Sequence, residues 1–469
     1  MQKSNEKVQS ETESAESAVK KGTGDQKAPL AGFADMLATA EAATQTQAQP
    51  EIQAEAPMPK APEAHRRTEA RRAADGAVSS VAEFETQRRL FWNENGVELT
   101  KKDGRYEFRM HGYKETLCTS DATPQGLEEA HKKIEQLRQQ KMAELTKTYG
   151  AKFSKDGETA GKQIVYDQKS GNWIYGTDDV KCRSPKLHEL LGIEAALKVS
   201  QPSARGVKFY VMTTQIYKNL TEMGEYHAVP TGGSDKSAKP GDPAIFLNGS
   251  ITMNYPSTEA AAKNWFNKDR HGDSIESTIT HELGHHSQNR MDWGISNKKA
   301  AVTFGMEMAG QMGWVTKHPP DRETNLWFLT DKNGNTWKHE HVAGNEWVRM
   351  KPNGAPLDKN GNVCPYANVD RVTNDQMVEM AKVRPFTAYN DTPREMFAEG
   401  MTAFRDGQRA LLWQNNRDLY KVMKAADQRE INKVYPPGKD KKPTHIRAVD
   451  GTIVANTAAA QAEIQLLEK

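Results

Sequence analysis

The sequence has few cysteines, little net charge and no long apolar run, and each scarcity excludes a class of protein. Cys118, Cys182 and Cys364 are widely separated, so no disulfide framework or cysteine metal site is indicated and a reducing compartment suits them. The formal net charge of +2 gives no case for nucleic-acid binding. With no membrane-spanning run and no hydrophobic signal core, we expect a soluble protein without a cleaved signal peptide, cytoplasmic at synthesis.

Apolar residues are also scarce, which predicts that part of the chain does not fold. The hydrophobic share is 36% and the mean hydropathy is −0.81, both low for one compact body. Residues 1–78 are rich in Ala, Glu, Gln, Lys, Thr and Pro, with Phe33 as their one aromatic, and they are predicted to be a disordered N-terminal tail. Within it, the apolar island Pro29–Leu37 is either a docking peptide for a protein partner or a transient helix without a role.

Residues 79–150 are predicted to form a small α+β module. A turn at Lys102-Asp103-Gly104 separates two short strands, and the second strand alternates apolar and charged residues, as a half-buried strand does. Thr123 and Pro124 then begin a long helix with one apolar stripe. The alternating strand residues are Tyr106, Phe108 and Met110, and the helical stripe contains Leu127, Ile134, Leu137 and Leu145.

The rest of the chain divides into a linker, a larger domain and a tail. The linker is assigned because the segment is rich in turn residues and has no clear periodicity. An insertion in the larger domain is rich in Trp and repeats Asp-Lys-Asn-Gly-Asn, a pattern typical of β-hairpin turns. The predicted regions are a linker at 151–205, the larger domain at 206–435, its β-rich insertion at 312–373, and a C-terminal tail at 436–469.

One short run, His281-Glu282-Leu283-Gly284-His285, indicates a chemistry. On a helix, histidines at i and i+4 project from one face and can hold one Zn²⁺ through two imidazole nitrogens. Glu282 then lies beside the metal, where it can take a proton from the attacking water and later give it to a leaving amine. The pattern predicts metal-assisted hydrolysis of a peptide bond, although a solvated surface helix can carry the same five residues.

The residues around this run favour a real amphipathic helix. Asp273 followed by Glu276 predicts a capping box at its start, and Ile275, Ile279 and Leu283 recur at helical spacing. Gly284 inside such a helix costs about 1 kcal/mol against alanine, so its missing side chain is expected to serve close packing or access to the metal.

A catalytic zinc site needs a third protein ligand, and two downstream glutamates are candidates. Met291 stands where a short extended motif would need histidine, so that motif is excluded. Glu395 and Glu399 lie one helical turn apart on one face, and either can be the ligand. If Glu395 only completes a capping box with Thr392, Glu399 must bind the metal. The favoured arrangement has Glu395 as the ligand and Glu399 accepting the free ring N–H of a ligand histidine.

The two motifs together resemble the gluzincin group of zinc metallopeptidases. His281-Glu282-x-x-His285, followed by Glu395-x-Phe397-Ala398-Glu399, is similar to the branch related to the anthrax lethal factor protease domain, and similar pairs occur in phage-encoded minor head and toxin-like proteins. The resemblance covers the chain from about Gly206 to the helix beyond Glu399. It implies an α+β zincin-like metallopeptidase domain with a small mixed sheet, Zn²⁺ as cofactor and a protein or peptide substrate.

The resemblance also implies individual roles. In that branch the first glutamate of the second motif binds zinc, which implies that role for Glu395. The second glutamate supports the ligands from outside the coordination sphere, which implies that role for Glu399. A preceding tyrosine stabilises the oxyanion, and Tyr389 is the matching residue. A virion-associated or host-delivered protease is the expectation from the phage proteins. In zincins an edge strand before the motif helix pairs with the substrate. The candidate strand consists of Ala244, Ile245, Phe246 and Leu247, although an ordinary buried strand has the same short apolar run.

Two other classes compete with this interpretation. The protein can be mainly a structural or scaffolding component of a virion or other assembly, with a self-processing or inactive zincin domain. Alternatively, the zinc site is purely structural and is closed by a fourth ligand such as His286 or His227.

Overall fold

The computed structural model describes most of the chain beyond its first 80 residues, and this part is mixed α+β, as predicted. The predicted N-terminal tail at 1–78 lies outside the described residues, and so does Tyr389. None of the helices in the described part combines the length and the apolar character that a membrane crossing requires. The described residues are 81–110, 116–167, 169, 172–216, 224–227, 243–249, 274–290, 307–316, 327–340, 346–385, 387 and 392–469.

The N-terminal module packs two helices on a three-stranded antiparallel sheet. Oγ1 of Thr123 accepts a hydrogen bond from the backbone N–H of Gly126 at 3.1 Å, and Pro124 occupies the first turn, so the long helix begins where predicted. Tyr106 and Phe108 are buried between the sheet and the helices, as their alternation predicted. The elements are α1 (Val81–Asn95), β1 (Val97–Lys102), β2 (Arg105–Met110), β3 (Thr116–Asp121) and α2 (Pro124–Tyr149).

A larger mixed sheet follows, with strand order β5-β6-β7-β9-β8 and β4 paired to β7. Residues 151–205 supply three of its strands and a helix, so the prediction that they are a linker is wrong. The register between β5 and β6 shifts twice, which breaks the alternation by which strands are recognised in a sequence. The elements are β4 (Lys152–Phe153), β5 (Thr159–Asp167), β6 (Asn172–Arg183), α3 (Leu187–Val199), β7 (Lys208–Met212), β8 (Gly224–His227) and β9 (Ala244–Asn248).

The predicted substrate strand, 244–247, forms as part of β9, but it is not an edge strand. β9 pairs in parallel with β7 on one side and antiparallel with β8 on the other, and all of its residues are buried. Both rows of its backbone groups are used inside the sheet, so it cannot pair with a substrate and that prediction is wrong. A continuous apolar run is typical of a strand buried on both faces. The strand that ends this side of the described sheet is β8.

The motif helix α4 (Ile275–Arg290) packs against this sheet and against α3. Ile275, Ile279 and Leu283 are buried in the core that the three elements share, which confirms the predicted apolar face. A β-carbon on Gly192 of α3 would lie 2.7 Å from Cγ2 of Ile275, so the two helices meet at a glycine. The apolar side of the helix is held against this core, so the direction of its polar side, which is also largely buried, is fixed.

The β-rich insertion at 312–373 is built on a five-stranded antiparallel meander. In both Asp-Lys-Asn-Gly-Asn repeats the aspartate, Asp331 or Asp358, accepts backbone N–H groups from the residues two and four positions later. Gly334 and Gly361 both have a φ of 82°, so each repeat forms the same tight turn, as predicted. The elements are β10 (Trp314–Thr316), β11 (Trp327–Thr330), β12 (Thr336–Glu340), β13 (Glu346–Arg349), β14 (Arg371–Thr373) and the following helix α5 (Asn374–Met380).

The C-terminal part is helical and then forms a hairpin and a last helix, so the prediction of a tail at 436–469 is wrong. Arg447 of the hairpin is buried, and its Nε donates to Oδ2 of Asp427 at 2.7 Å while Nη1 donates to the carbonyl of Gly451 at 2.8 Å. Polar contacts of this kind leave no apolar periodicity in the sequence. The elements are α6 (Pro393–Arg405), α7 (Arg409–Asn415), α8 (Arg417–Val434), β15 (His445–Arg447), β16 (Ile453–Ala455) and α9 (Ala458–Leu467).

Candidate metal centre

Helix α4 begins at a serine cap and places its two histidines side by side. The backbone N–H of Ser277 donates to Oγ of Ser274 at 3.0 Å, so the cap lies one residue after the predicted Asp273, which is outside the described residues. The rings of His281 and His285 have centroids 4.8 Å apart and planes at 83° to one another. The i, i+4 spacing has therefore brought both imidazoles to one point on the helix surface.

Helix α6 brings a glutamate to the same point. Oγ1 of Thr392 accepts the backbone N–H of Glu395 at 3.2 Å, so this threonine is the predicted cap. The carboxylate of Glu395 is directed at the histidines: its Oε2 lies 3.1 Å from Nε2 of His281 and 3.3 Å from Nε2 of His285. The backbone N–H of Glu395 thus completes the helix cap, while its side chain lies beside the two histidines.

Gly284 explains how closely the two helices approach. A β-carbon built on it would lie 3.0 Å from Cα of Ala398 and 3.3 Å from the β-carbon of Ala398. Both distances are shorter than ordinary van der Waals contacts, so α4 and α6 could not cross at this separation with a larger residue there. The predicted packing role of Gly284 is confirmed.

Two of the distances between the candidate ligand atoms match those in a tetrahedral zinc site. His281, His285 and Glu395 each offer one atom, and these atoms lie within 4.8 Å of one another. Two ligand atoms that are each about 2.0 Å from a tetrahedral zinc ion are roughly 3.3 Å apart. The measured nitrogen-to-oxygen distances of 3.1 and 3.3 Å agree with that value. The donor set of two imidazole nitrogens and one carboxylate oxygen is also one that zinc prefers.

Outside this triad, each histidine has a partner for its second ring nitrogen. Nδ1 of His281 lies 2.7 Å from Oε1 of Glu399, and Oγ1 of Thr387 donates to Oε2 of the same carboxylate at 2.7 Å. Nδ1 of His285 lies 3.0 Å from Oε1 of Gln288. The role proposed for Glu399 from the sequence agrees with this geometry, whereas Thr387 and Gln288 were not selected. Gln288 lies three positions after His285, on the same helix face, and this spacing is the signal that pointed to it.

The electrostatics of the centre favour a positive charge between the carboxylates. Burial by itself would lower the pKa of His281, but contacts with Glu395 and Glu399 outweigh it and hold that pKa well above its ordinary value. Burial would likewise raise the pKa of Glu395, yet the charges and hydrogen bonds of His285 and His281 hold it well below its ordinary value. The centre therefore attracts a proton or a metal cation.

The predicted general base lies next to the edge strand. Glu282 follows His281 on α4 and is buried, with 8% of its surface exposed. A β-carbon on Gly224 of β8 would lie 3.6 Å from Cγ of Glu282 and 2.7 Å from Cγ2 of Thr278. The strand therefore passes directly over the helix beside Glu282, at a residue whose missing side chain permits the approach.

His286 does not join the centre, and the side chains of two further predicted residues fall outside what the structure describes. The Nε2 atom of His286 lies 2.9 Å from the backbone carbonyl of Ser203, away from the triad, so the structure does not support it as a fourth ligand. The side chain of His227 and the whole of Tyr389 lie outside the described residues. Within the described residues, the group of side chains that could hold a metal ion consists of His281, His285 and Glu395.

Comparison of the chain with protein-family models, with curated proteins and with solved structures finds no match.

Proposed function

We propose that this chain is a zinc-dependent metalloendopeptidase that hydrolyses peptide bonds in a protein or peptide substrate. The observation that carries the proposal is the convergence of Nε2 of His281, Nε2 of His285 and Oε2 of Glu395, in which the oxygen lies 3.1 and 3.3 Å from the two nitrogens. Three protein ligands leave one coordination position for water or substrate, which distinguishes catalytic zinc sites from closed structural sites.

The mechanism follows from where the chain places its own groups. A bound zinc ion would polarise the scissile carbonyl and lower the pKa of the attacking water to about 7. Glu282, adjacent in sequence to His281 and buried, takes a proton from that water and delivers it to the leaving amine nitrogen. Glu399 holds His281 in the orientation that directs Nε2 to the centre, because it occupies Nδ1 of the ring. By resemblance, Tyr389 is proposed to stabilise the oxyanion.

The position of β8 supports an extended peptide as the substrate. β8 ends the described sheet, and its Gly224 lies against Glu282. An added strand that pairs with the outer edge of β8 would hold its backbone next to the general base. This role replaces the one predicted for the strand at 244–247. Association with a virion or delivery into a host cell stays a prediction, because the tail at 1–78 that would serve it lies outside the described residues.

The direct test replaces Glu282 with Gln in the full chain. We expect the zinc-loaded wild type to cleave fluorescein-labelled casein, and we expect cleavage to fall by about 10²–10⁴-fold in Glu282→Gln, because the general base is lost while the ligands remain. Zinc content should be unchanged, and 1,10-phenanthroline should abolish the wild-type activity. Glu379→Gln, which changes an exposed glutamate of α5 paired with Arg384, is the matched control.

The outcomes separate the proposal from its rivals. If neither casein nor a mixed peptide library is cleaved by the zinc-loaded wild type, the protein is a structural component and the proposal fails. If Glu282→Gln cleaves as fast as Glu379→Gln, the hydrolysis comes from another site. If metal removal unfolds the domain, the zinc is structural instead.

A further inference from the structure

Gln288 joins one ligand histidine to the helix that carries the glutamate ligand. It lies in the last turn of α4 and is fully buried. Its side-chain oxygen lies 3.0 Å from Nδ1 of His285, and its side-chain nitrogen donates to the backbone carbonyl of Arg394 at 2.6 Å. Arg394 immediately precedes Glu395 in the first turn of α6. One amide therefore contacts a candidate ligand and the backbone beside another.

The orientation of this amide is decided by the Arg394 carbonyl. A carbonyl oxygen can only accept a hydrogen bond, so the end of the Gln288 amide that faces it must be the NH₂ group. The other end, which faces His285, must then be the oxygen. Because that oxygen only accepts, Nδ1 of His285 must carry the hydrogen of this bond.

This fixes the tautomer of His285. With its hydrogen on Nδ1, the neutral ring has its lone pair on Nε2, the nitrogen that lies 3.3 Å from Oε2 of Glu395. A ligand histidine needs its unprotonated nitrogen toward the metal and a partner for the other. Gln288 meets both needs through one contact, while its second bond keeps the start of α6 in place.

We propose that Gln288 is a positioning residue that fixes the tautomer and orientation of His285 for metal binding. The inference rests on the proposed zinc function and extends it to a residue outside both motifs. It assigns His285 a neutral amide as its outer partner, where His281 has the carboxylate of Glu399.

Two substitutions separate positioning from simple structural support. Gln288→Leu removes both hydrogen bonds, whereas Gln288→Glu removes the donor to Arg394 and retains an acceptor for His285. Both variants lose the bond to Arg394, and Gln288→Glu also places a carboxylate oxygen against that carbonyl oxygen, so in the metal-free state we expect Gln288→Glu to be at least as destabilised as Gln288→Leu. We expect the zinc affinity to fall by about 10–100-fold in Gln288→Leu and to stay within about threefold of wild type in Gln288→Glu. A matched control is Gln428→Leu, since the Gln428 amide also donates to a backbone carbonyl, that of His445 at 2.8 Å.

The measurement is competition for Zn²⁺ against a chromophoric chelator in the full chain, with thermal unfolding in EDTA as the stability readout. Equal zinc affinity in Gln288→Leu and Gln428→Leu would overturn the positioning role, and so would a loss in Gln288→Glu as large as that in Gln288→Leu. A wild type that binds no zinc would overturn the proposed function as well. A wild type that binds zinc and cleaves casein, with both Gln288 variants unchanged in affinity, would overturn the present inference alone.

Discussion

Helix α6 contributes to two buried clusters of charged groups, one at its start and one at its end. The carboxylates of the two clusters are neutralised by different kinds of group. Near its start, Glu395 and Glu399 face the imidazole of His281. At its end, Arg405 donates to Oδ1 of Asp427 at 2.9 Å, and Arg447 donates to Oδ2 of that carboxylate at 2.7 Å. The second cluster contains its own permanent cations, whereas the first has only imidazole rings, which must acquire a charge.

The difference shows which buried charges hold the fold together and which are available for chemistry. Burying a carboxylate is costly unless it is paired and hydrogen-bonded. The carboxylate of Asp427 is paired with two arginines of the chain itself, and Arg405 also donates to Oγ of Ser287 on α4 at 3.1 Å, which ties the cluster to the motif helix. Around Glu395 the pairing is completed by a proton or a metal ion, and this is what a metal centre requires.

The largest effect is expected when the cluster around Asp427 is broken. Asp427→Asn removes the counter-charge of two buried arginines, and this should lower the free energy of unfolding by about 3–5 kcal/mol, measured by urea denaturation in EDTA. Zinc affinity of the folded fraction should change little. Asp418→Asn on the same helix, where the aspartate is exposed and pairs with Lys421, is the control and should change stability little. Equal stabilities for the two variants would contradict the structural role of the cluster.

The same substitution has a defined pH dependence. Burial would raise the pKa of Asp427, but Arg447 and Arg405 outweigh it and hold the pKa below its ordinary value of 3.8. Since the folded pKa is depressed, the ionised group contributes stability above the unfolded pKa, and that contribution is lost as the pH falls through the folded pKa. The stability difference between wild type and Asp427→Asn should therefore be constant near neutral pH and shrink below pH 3.8.

The next largest effect concerns the proposed zinc site. Glu395→Ala removes one of the three proposed ligands, and we expect it to weaken zinc binding by about 3–4 kcal/mol, on the order of several hundredfold. Glu399→Ala removes only the support of His281 and should weaken binding by about 10–100-fold. Metal analysis and chelator competition on both variants measure the ranking. Zinc that is retained in Glu395→Ala but lost in Glu399→Ala would reverse the ligand assignment.

The two helices of the proposed zinc site, α4 and α6, were predictable, because short-range rules govern them. His281 and His285 share a face through the i, i+4 spacing, and the cap at Thr392 fixes where α6 begins. The apolar positions of α4 likewise predicted its buried side. Each of these inferences needs only residues within two turns of one another.

The errors arose where distant contacts decide the structure. The segment predicted to be a C-terminal tail is held to the rest of the chain by Arg447, which donates hydrogen bonds to Asp427 and to the carbonyl of Gln201. No local sequence pattern indicates these long-range contacts. The strand at 244–247 was wrongly predicted to be an edge strand, since a short apolar run does not indicate how many other strands pair with it. Thr387 was missed because its contact with Glu399 forms only in the folded chain. Gln288 has a visible spacing from His285, but its bond to the Arg394 carbonyl on the other helix forms only on folding.

The smallest effect tests how precisely the two helices must meet. Gly284→Ala adds a methyl group 3.0 Å from Cα of Ala398, so α4 and α6 must separate by a few tenths of an ångström. Overpacking costs about 1–3 kcal/mol, and the better helix propensity of alanine returns about 1 kcal/mol, so global stability should change little. Zinc affinity should nevertheless fall by about tenfold, on the order of 1.4 kcal/mol, because the ligands lie on different helices. Gly310→Ala, where an added β-carbon meets nothing within 4 Å, is the control, and equal zinc affinities for the two variants would show that the helix separation does not limit the metal site.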